Sequence, residues 1–241
     1  MKIIICGDIH GDWGALNQLI DKKKPDMILQ VGDWGWFPHY HGKPGVTRGG
    51  ASWNQYGVKN HQGDKITKIY WCGGNHENWD SLDKMGTEIY EIPEQKDVFF
   101  CPFGTTLELP DGQIVLFAGG AKSTDAHTRI EGDSWWRQEE ISQADIDRLP
   151  DINVDIVISH TVPRQWMDAC YYSLCGMRTD GSTRYHDSST FALDIVKQKY
   201  NPKKWYSGHF HVGFYREIQG CKWNSLDMPR NLGFWWVELK D

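Results

Sequence analysis

Several function classes find no footing in this chain. Its 241 residues carry a formal net charge of −6 with no block of like charge, so duplex tracking by counterion release and docking on an anionic bilayer both lack clustered Lys and Arg. Six cysteines (Cys6, Cys72, Cys101, Cys170, Cys175 and Cys221) include no Cys-x-x-Cys pair, which argues against a zinc ribbon and a disulfide framework and leaves reduced, mostly buried thiols as the expectation. No apolar stretch approaches the roughly 20 residues of a membrane span. The opening Met1-Lys2-Ile3-Ile4-Ile5-Cys6 is too short for a secretory h-region and runs into Gly7-Asp8 without a small-residue cleavage site. A cytoplasmic chain without membrane contact is expected. Repeats and linker-like composition are also missing, so residues 1–241 are expected to form a single domain, a size at which one α/β domain buries a substantial core.

What is present is an alternation of short apolar runs and helical patterns. Lys2 to Cys6 is a β-branched run, Trp13 to Lys23 places Leu16, Leu19 and Ile20 on one helical face before Pro25, and Met27 to Val31 is a second apolar run. This is a βαβ unit with a parallel strand pair, which puts Asp8 and Asp33 beyond the carboxyl ends of neighbouring strands, where open α/β sheets build their sites. Ile66 to Trp71 resumes the sheet, and a short helix follows over 78–85. Short runs between Glu88 and Phe117, broken by Pro and Gly turns, read as an antiparallel meander. Further on, the pattern predicts a helix over 139–149 capped near Ser142, a strand over 155–159, a helix over 188–200 opened by a serine, a strand over 204–207, and closing antiparallel strands over 212–219, 221–227 and 234–239. Residues 34–64, 119–137 and 161–187 are long and irregular, and loops of that length are more often functional than connective.

The chemistry-bearing residues fall at the ends of the apolar runs: Asp8-Ile9-His10, Gly32-Asp33, Gly73-Gly74-Asn75-His76-Glu77, His160 and Gly208-His209-Phe210-His211. Side chains two apart on extended backbone share a side, so Asp8 with His10 and His209 with His211 can each offer two donors to one small volume. Asp, His and Asn form a mixed oxygen and nitrogen set that suits Mn²⁺, Fe²⁺, Zn²⁺ or similar ions. Taken singly, each stretch also has an ordinary reading, as a strand end, a hydrogen-bonded core histidine or a Gly-rich turn. Their succession at strand ends is what points to one centre.

That series resembles the calcineurin-like metallophosphoesterase superfamily, over nearly the whole chain. The resemblance implies a four-layer α/β/β/α sandwich, two mixed β-sheets flanked by helices, with a dinuclear metal site at the strand ends. Transferred by position, Asp8, His10 and His211 would hold one divalent ion and Asn75, His160 and His209 the second, with Asp33 bridging and His76 acting as the catalytic imidazole outside the metal shell. Mn²⁺ is the expected metal, with Fe, Zn, Ni or Mg as alternatives. The activity implied is hydrolysis of a phosphodiester or phosphomonoester by in-line attack of a metal-bound hydroxide held by two ions about 3.5–4 Å apart, with His76 assisting the transition state or the leaving group. Glu77 either supports the site from behind or simply opens a helix.

Departures from relatives narrow this. Ser/Thr phosphoprotein phosphatases continue their Gly-Asp with x-Val-Asp-Arg-Gly and place Arg before Asn-His-Glu, whereas here Trp34-Gly35-Trp36-Phe37 follows Asp33 and Gly74 precedes Asn75. Lariat-debranching relatives share Gly-Gly-Asn-His-Glu but carry Cys where this chain has Asp8. A protein phosphatase, an RNA-debranching nuclease and, outside catalysis, a binding module on the same fold are the alternative readings. Gly119 to Arg129, closed by Trp135-Trp136, is similar to a stretch in little-characterised bacterial and phage members. On the substrate side, Arg129 is a candidate bidentate phosphate contact, His127 a further donor, and Trp34 and Trp36 a candidate aromatic rim for stacking a base. The expected partner is thus a phosphate ester, with nucleotides or single-stranded nucleic acid among the candidates. Cys170, Cys175, Tyr171 and Tyr172 fall in a candidate lid. The oligomeric state is not legible.

Overall fold

The structure is a computed structural model that describes residues 1–40, 47–48, 51–52, 57–93, 95–168 and 187–240. The first sheet draws on β1 (Ile3–Cys6), β2 (Met27–Gln30), β7 (Lys68–Trp71), β8 (Tyr90–Glu91), β9 (Val98–Phe100) and β16 (Trp236–Glu238). The second draws on β10 (Thr106–Glu108), β11 (Ile114–Ala118), β12 (Ile156–Ser159), β13 (Lys204–Ser207), β14 (Phe214–Ile218) and β15 (Cys221–Ser225). Two small antiparallel pairs, β3 (Thr47–Arg48) with β4 (Ala51–Ser52) and β5 (His61–Gln62) with β6 (Lys65–Ile66), lie outside them. Among the described residues the α-helices are α1 (Trp13–Lys23), α2 (Trp79–Leu82), α3 (Gln143–Asp147) and α4 (Ser189–Tyr200).

The sheets share one plan. The first runs β16-β1-β2-β7-β9-β8 and the second β10-β11-β12-β13-β15-β14. In each, four parallel central strands are flanked on both edges by an antiparallel strand. Successive side chains alternate between faces, and both faces are covered. Ile3, Ile5 and Leu29 meet Phe117, Ile156 and Ile158 between the sheets. Ile4, Cys6 and Ile28 turn outward onto Leu16, Leu19 and Ile20 of α1. On the far side Leu116, Val157, Trp205 and Trp223 pack on Leu193 and Val196 of α4. Layer order is therefore helix, sheet, sheet, helix, as the resemblance implied. Burial on both faces is why the central strands read as unbroken apolar runs.

α1 starts where Asp12 accepts the Ala15 N–H (3.1 Å) and ends at Lys24 in the left-handed region (φ 47°), just ahead of Pro25. Four local expectations need correction. Residues 88–117 do not form an antiparallel meander: β8–β9 and β10–β11 are antiparallel, but β9 runs parallel to β7 and β11 to β12, and the stretch divides between the two sheets. Period-2 patterning marks strands but not their partners. The helix expected over 139–149 shrinks to α3, because Glu139 ends a separate 3-10 turn over Arg137–Glu139, with its side chain inward and its carbonyl accepting the Ala121 N–H, and Glu140 then leaves that turn extended (φ −84°, ψ 138°); Ser142 and Asp145 form a capping box. α4 is opened by Asp187, whose carboxylate accepts the Ser189 N–H (2.9 Å), and Ser188 makes no capping bond. At the end of the chain only β14–β15 is a consecutive antiparallel pair; β15 lies parallel to β13, and β16 crosses to the first sheet beside β1. No helix among the described residues is long and apolar enough to cross a membrane.

Candidate active site

The carboxyl ends of the parallel strands of both sheets open on one side, and the polar residues gather there. Asp8 and His10 follow β1, Asp33 follows β2, Asn75 and His76 follow β7, His160 follows β12, and His209 and His211 follow β13. Buried Gln30 ties the first two exits together: its amide donates to the Gly7 carbonyl (3.1 Å) and its Oε1 accepts the Gly32 N–H (3.1 Å). The backbone is not extended here, contrary to the premise of the two-apart argument. His10 (φ 47°), Asp33 (φ 55°), His209 (φ 68°) and His211 (φ 50°) all occupy the left-handed region. Such conformations are costly for residues with a Cβ and persist where surrounding contacts over-determine them. Close approach supplies those contacts. A Cβ on Gly74 would overlap the Asp33 carboxylate and amide, and one on Gly208 would overlap the Asp8 carboxylate. An arginine at position 74 has no room in this backbone.

The donor atoms form two groups that share one carboxylate. In the first, ligand atoms of Asp8, His10, Asp33 and His211 lie within 4.8 Å of one another. His10 Nε2 is 3.0 Å from His211 Nε2 and 3.4 Å from Asp33 Oδ2, and His211 Nε2 is 3.1 Å from Asp8 Oδ2. In the second, Asn75 Oδ1 sits 2.8 Å from His209 Nδ1 and 3.0 Å from His160 Nε2, with Asp33 Oδ1 3.3 Å from the same His160 nitrogen. Asp33 therefore turns Oδ2 to one group and Oδ1 to the other. It is almost wholly buried, as is Asp8.

This donor set fits cations. His160 Nδ1 donates to the Val31 carbonyl (2.9 Å), so the neutral ring carries a lone pair on Nε2, facing the Asp33 carboxylate and the Asn75 carbonyl oxygen. Three acceptors converge there unless positive charge lies among them. In the protein alone a proton supplies it: burial pushes the His160 imidazole down, but the Asp33 and Asp8 carboxylates override this and hold it at about 9. The counterpart is Asp33, which burial would raise and which His160, His76 and His10 instead draw well below the usual carboxylate range. His209 is pushed well down by burial and by the charge on His160, which keeps its ring neutral. Burial likewise lowers His10 against the pull of Asp33 and Asp8.

Behind these atoms lies a layer that single-sequence reading missed or left open. Glu77 is buried, and its carboxylate accepts the N–H groups of Trp34 (2.7 Å), Gly35 (3.2 Å) and Trp36 (2.6 Å). It clamps the loop that leaves Asp33 and is not merely a helix opener. The signal was its place two residues after Asn75, but nothing local names the loop it holds. Arg129, with a side chain 1 % exposed, ion-pairs with Asp125 (2.7 Å), donates to the Asn75 carbonyl (3.0 Å) and donates to His76 Nε2 (2.7 Å). Ser123 and Glu139 connect to Asn75 from the same segment. His76 also ties back to the centre, because its N–H donates to Asp33 Oδ1 (2.7 Å) and its ring meets His10 edge-on at 4.8 Å.

The aromatic rim is a correction. Trp34 and Trp36 are 1 % and 3 % exposed and pack with Trp71 in the core beneath α1. The Glu77 clamp draws their backbone inward, so neither presents a face to a base. His127 is exposed on the 119–137 segment. Cys170, Cys175, Tyr171 and Tyr172 lie outside the described residues.

Comparison with known proteins agrees with this geometry. A family model described as calcineurin-like phosphoesterase matches residues 1–213. The chain belongs to the calcineurin-like phosphoesterase family. No curated protein matches it. Among solved structures, TT1561 of Thermus thermophilus is 14% identical, with a TM-score of 0.52 and coverage of 94% of this chain and 89% of that one. A conserved uncharacterized protein from Streptococcus pneumoniae TIGR4, described as a predicted phosphoesterase, is 12% identical, with a TM-score of 0.37 and coverage of 100% of this chain and 83% of that one. The first likeness shows the fold. Membership of the family supports a phosphoesterase, and the Asp and His cluster supports divalent metal binding.

Proposed function

We propose that this chain is a dinuclear metal-dependent phosphoric ester hydrolase. Asp8, His10, Asp33 and His211 hold one divalent cation, and Asp33, Asn75, His160 and His209 hold the other. The observation that carries this reading is the split carboxylate of Asp33, one oxygen to each donor group. Strands β14 to β16, which complete both sheets, lie beyond or at the edge of the matched residues, and we read 1–241 as one working domain. Mn²⁺ is the metal to try first, with Fe, Zn, Ni and Mg as competitors. Bound there, the pair would supply Lewis acidity, activating water and neutralising charge on a phosphoryl group.

The chain's own groups then orient and move protons. Because a guanidinium only donates, a His76 ring nitrogen accepts from Arg129 Nη2, which lies 2.7 Å from Nε2 and 3.2 Å from Nδ1, and this holds the imidazole beside the donor groups. His76 is thus set to contact a phosphoryl oxygen and to exchange a proton with the departing oxygen. The Arg129 cation adds positive charge where an anionic ester arrives, and its Nε has no hydrogen-bond partner among the described residues. The substrate is a phosphate monoester or diester; nucleotides and short single strands belong in the first screen.

The test is direct. Chelator-treated protein should lose activity on bis(p-nitrophenyl) phosphate and p-nitrophenyl phosphate and regain it with Mn²⁺. Two bound metals without turnover on any ester would instead favour a binding module on this fold.

A further inference from the structure

The dinuclear reading leaves one detail open. The two ends of an asparagine amide are nearly the same shape, yet only the oxygen can face a cation. We propose that Ser123 and Glu139 act as a positioning pair that fixes which end of the Asn75 amide faces the site. This inference rests on the metal-dependent reading above and assigns a role to the segment between β11 and β12.

Glu139 Oε1 accepts the Ser123 N–H (2.5 Å) and the Trp135 indole N–H (2.9 Å), and Glu139 Oε2 accepts the Ser123 hydroxyl (2.9 Å). A hydroxyl has one proton, and a carboxylate can only accept, so that proton is committed to Glu139. Ser123 Oγ is left as an acceptor on its other side, where Asn75 Nδ2 donates to it at 3.2 Å. The amide oxygen must then face the other way, toward His209 Nδ1 at 2.8 Å and His160 Nε2 at 3.0 Å. Reversing the amide would set two acceptors against each other at Ser123 and turn an NH₂ group into the donor cluster. Water cannot repair that, because Asn75, Ser123 and Glu139 are only 5%, 3% and 1% exposed. The segment is pinned as a unit, since Glu139 also accepts the Ala121 N–H on its backbone carbonyl. Burial raises the Glu139 carboxyl to about 7 against the pull of Ser123 and Trp135, so the pair is complete at pH 8.5.

The experiment measures Mn²⁺ binding to the metal-stripped full chain at pH 8.5 by equilibrium dialysis, with the spin-coupled Mn²⁺ pair followed by EPR. Glu139→Gln lets position 139 donate to Ser123 and frees the hydroxyl proton to point at Asn75; Ser123→Ala removes the acceptor. Both should weaken one of two Mn²⁺ sites by about 10- to 100-fold while the other stays within about twofold, with loss of the coupled signal. Ser123→Thr, which keeps the hydroxyl, should retain both sites. In an Asn75→Asp background both ends are oxygen, so Ser123→Ala should no longer weaken the site, which a merely structural role would not produce. Wild-type affinity at both sites in Glu139→Gln, or equal weakening of both sites, overturns the proposal; Glu139→Gln decides alone should Ser123→Ala fail to fold. A wild-type chain that binds fewer than two Mn²⁺ removes the dinuclear reading itself, and this inference with it.

Discussion

Replacing Glu77 by Gln tests whether the loop after Asp33 is held in place by one carboxylate. In the native chain both oxygens receive backbone N–H groups, from Trp34 on one side and from Gly35 and Trp36 on the other. Glutamine keeps one acceptor and turns the other into an NH₂ that faces N–H groups, so one side of the clamp is lost and its amides are left unpaired in a buried place. Hydrogen bonds to charged groups contribute about 1.5–3 kcal/mol, and an orphaned buried donor costs about 1–3 kcal/mol. A loss near 3 kcal/mol is expected, or about 6–12 °C in Tm for a chain of this size. Burial and the Asp33 charge push the Glu77 carboxyl up to about 8, against the pull of the Trp36 and Trp34 amides, so the comparison belongs at pH 9, where it is ionised. The consequence reaches the site through Asp33, whose carbonyl accepts the Ile9 and His10 N–H groups at 3.0 and 2.7 Å and whose carboxylate faces both donor groups. Both Mn²⁺ sites should therefore weaken together, unlike the one-sided loss expected at Ser123 and Glu139. Scanning calorimetry and metal content by mass spectrometry read the two effects. A variant that melts within about 2 °C of wild type and keeps both metals would refute the clamp.

Other perturbations separate the remaining roles. Asp33→Asn should lose metal and turnover together, since one carboxylate serves both donor groups; a variant holding two Mn²⁺ with wild-type affinity would contradict the shared position. His76→Gln should keep metal content and lower kcat by about 100-fold or more, and Arg129→Ala should lower kcat in the same direction with metal content unchanged; full activity in His76→Gln would dismiss its role. The Glu139 carboxyl is raised in the fold from 4.5 to about 7 by burial. Its stabilising contribution is complete below pH 4.5 and is lost as pH climbs to about 7, a fall of about 3 kcal/mol at most. Denaturant titrations across that window should show a shallower fall in Glu139→Gln, and parallel curves would refute the assignment.

Much of the frame could be read from residue order. The apolar runs at Lys2–Cys6, Met27–Val31 and Asp155–Ser159 coincide with β1, β2 and β12, and the Leu16, Leu19 and Ile20 stripe lies on the sheet as a 3.6-residue period requires. Strand partnership was not legible between 88 and 117, because a short apolar run fits a parallel or an antiparallel neighbour equally well. Trp34 and Trp36 misled for a related reason. Their place after Asp33 suggested a surface rim, but the side-chain direction is set by Glu77, forty-three and forty-one residues away.

What the sequence determined by itself is the inventory and its order: acids, imidazoles and an amide at the ends of successive buried strands. Those follow from local periodicity and chain connectivity, which a single sequence carries. Tertiary structure alone decided that Asp33 divides its oxygens between two donor groups, that Glu77 holds the 34–36 loop, and that Ser123, Glu139 and Arg129 stand behind Asn75 and His76. Each depends on atoms within about 3 Å from segments far apart in the chain, and hydrogen bonds of that length are fixed by packing rather than by any local pattern.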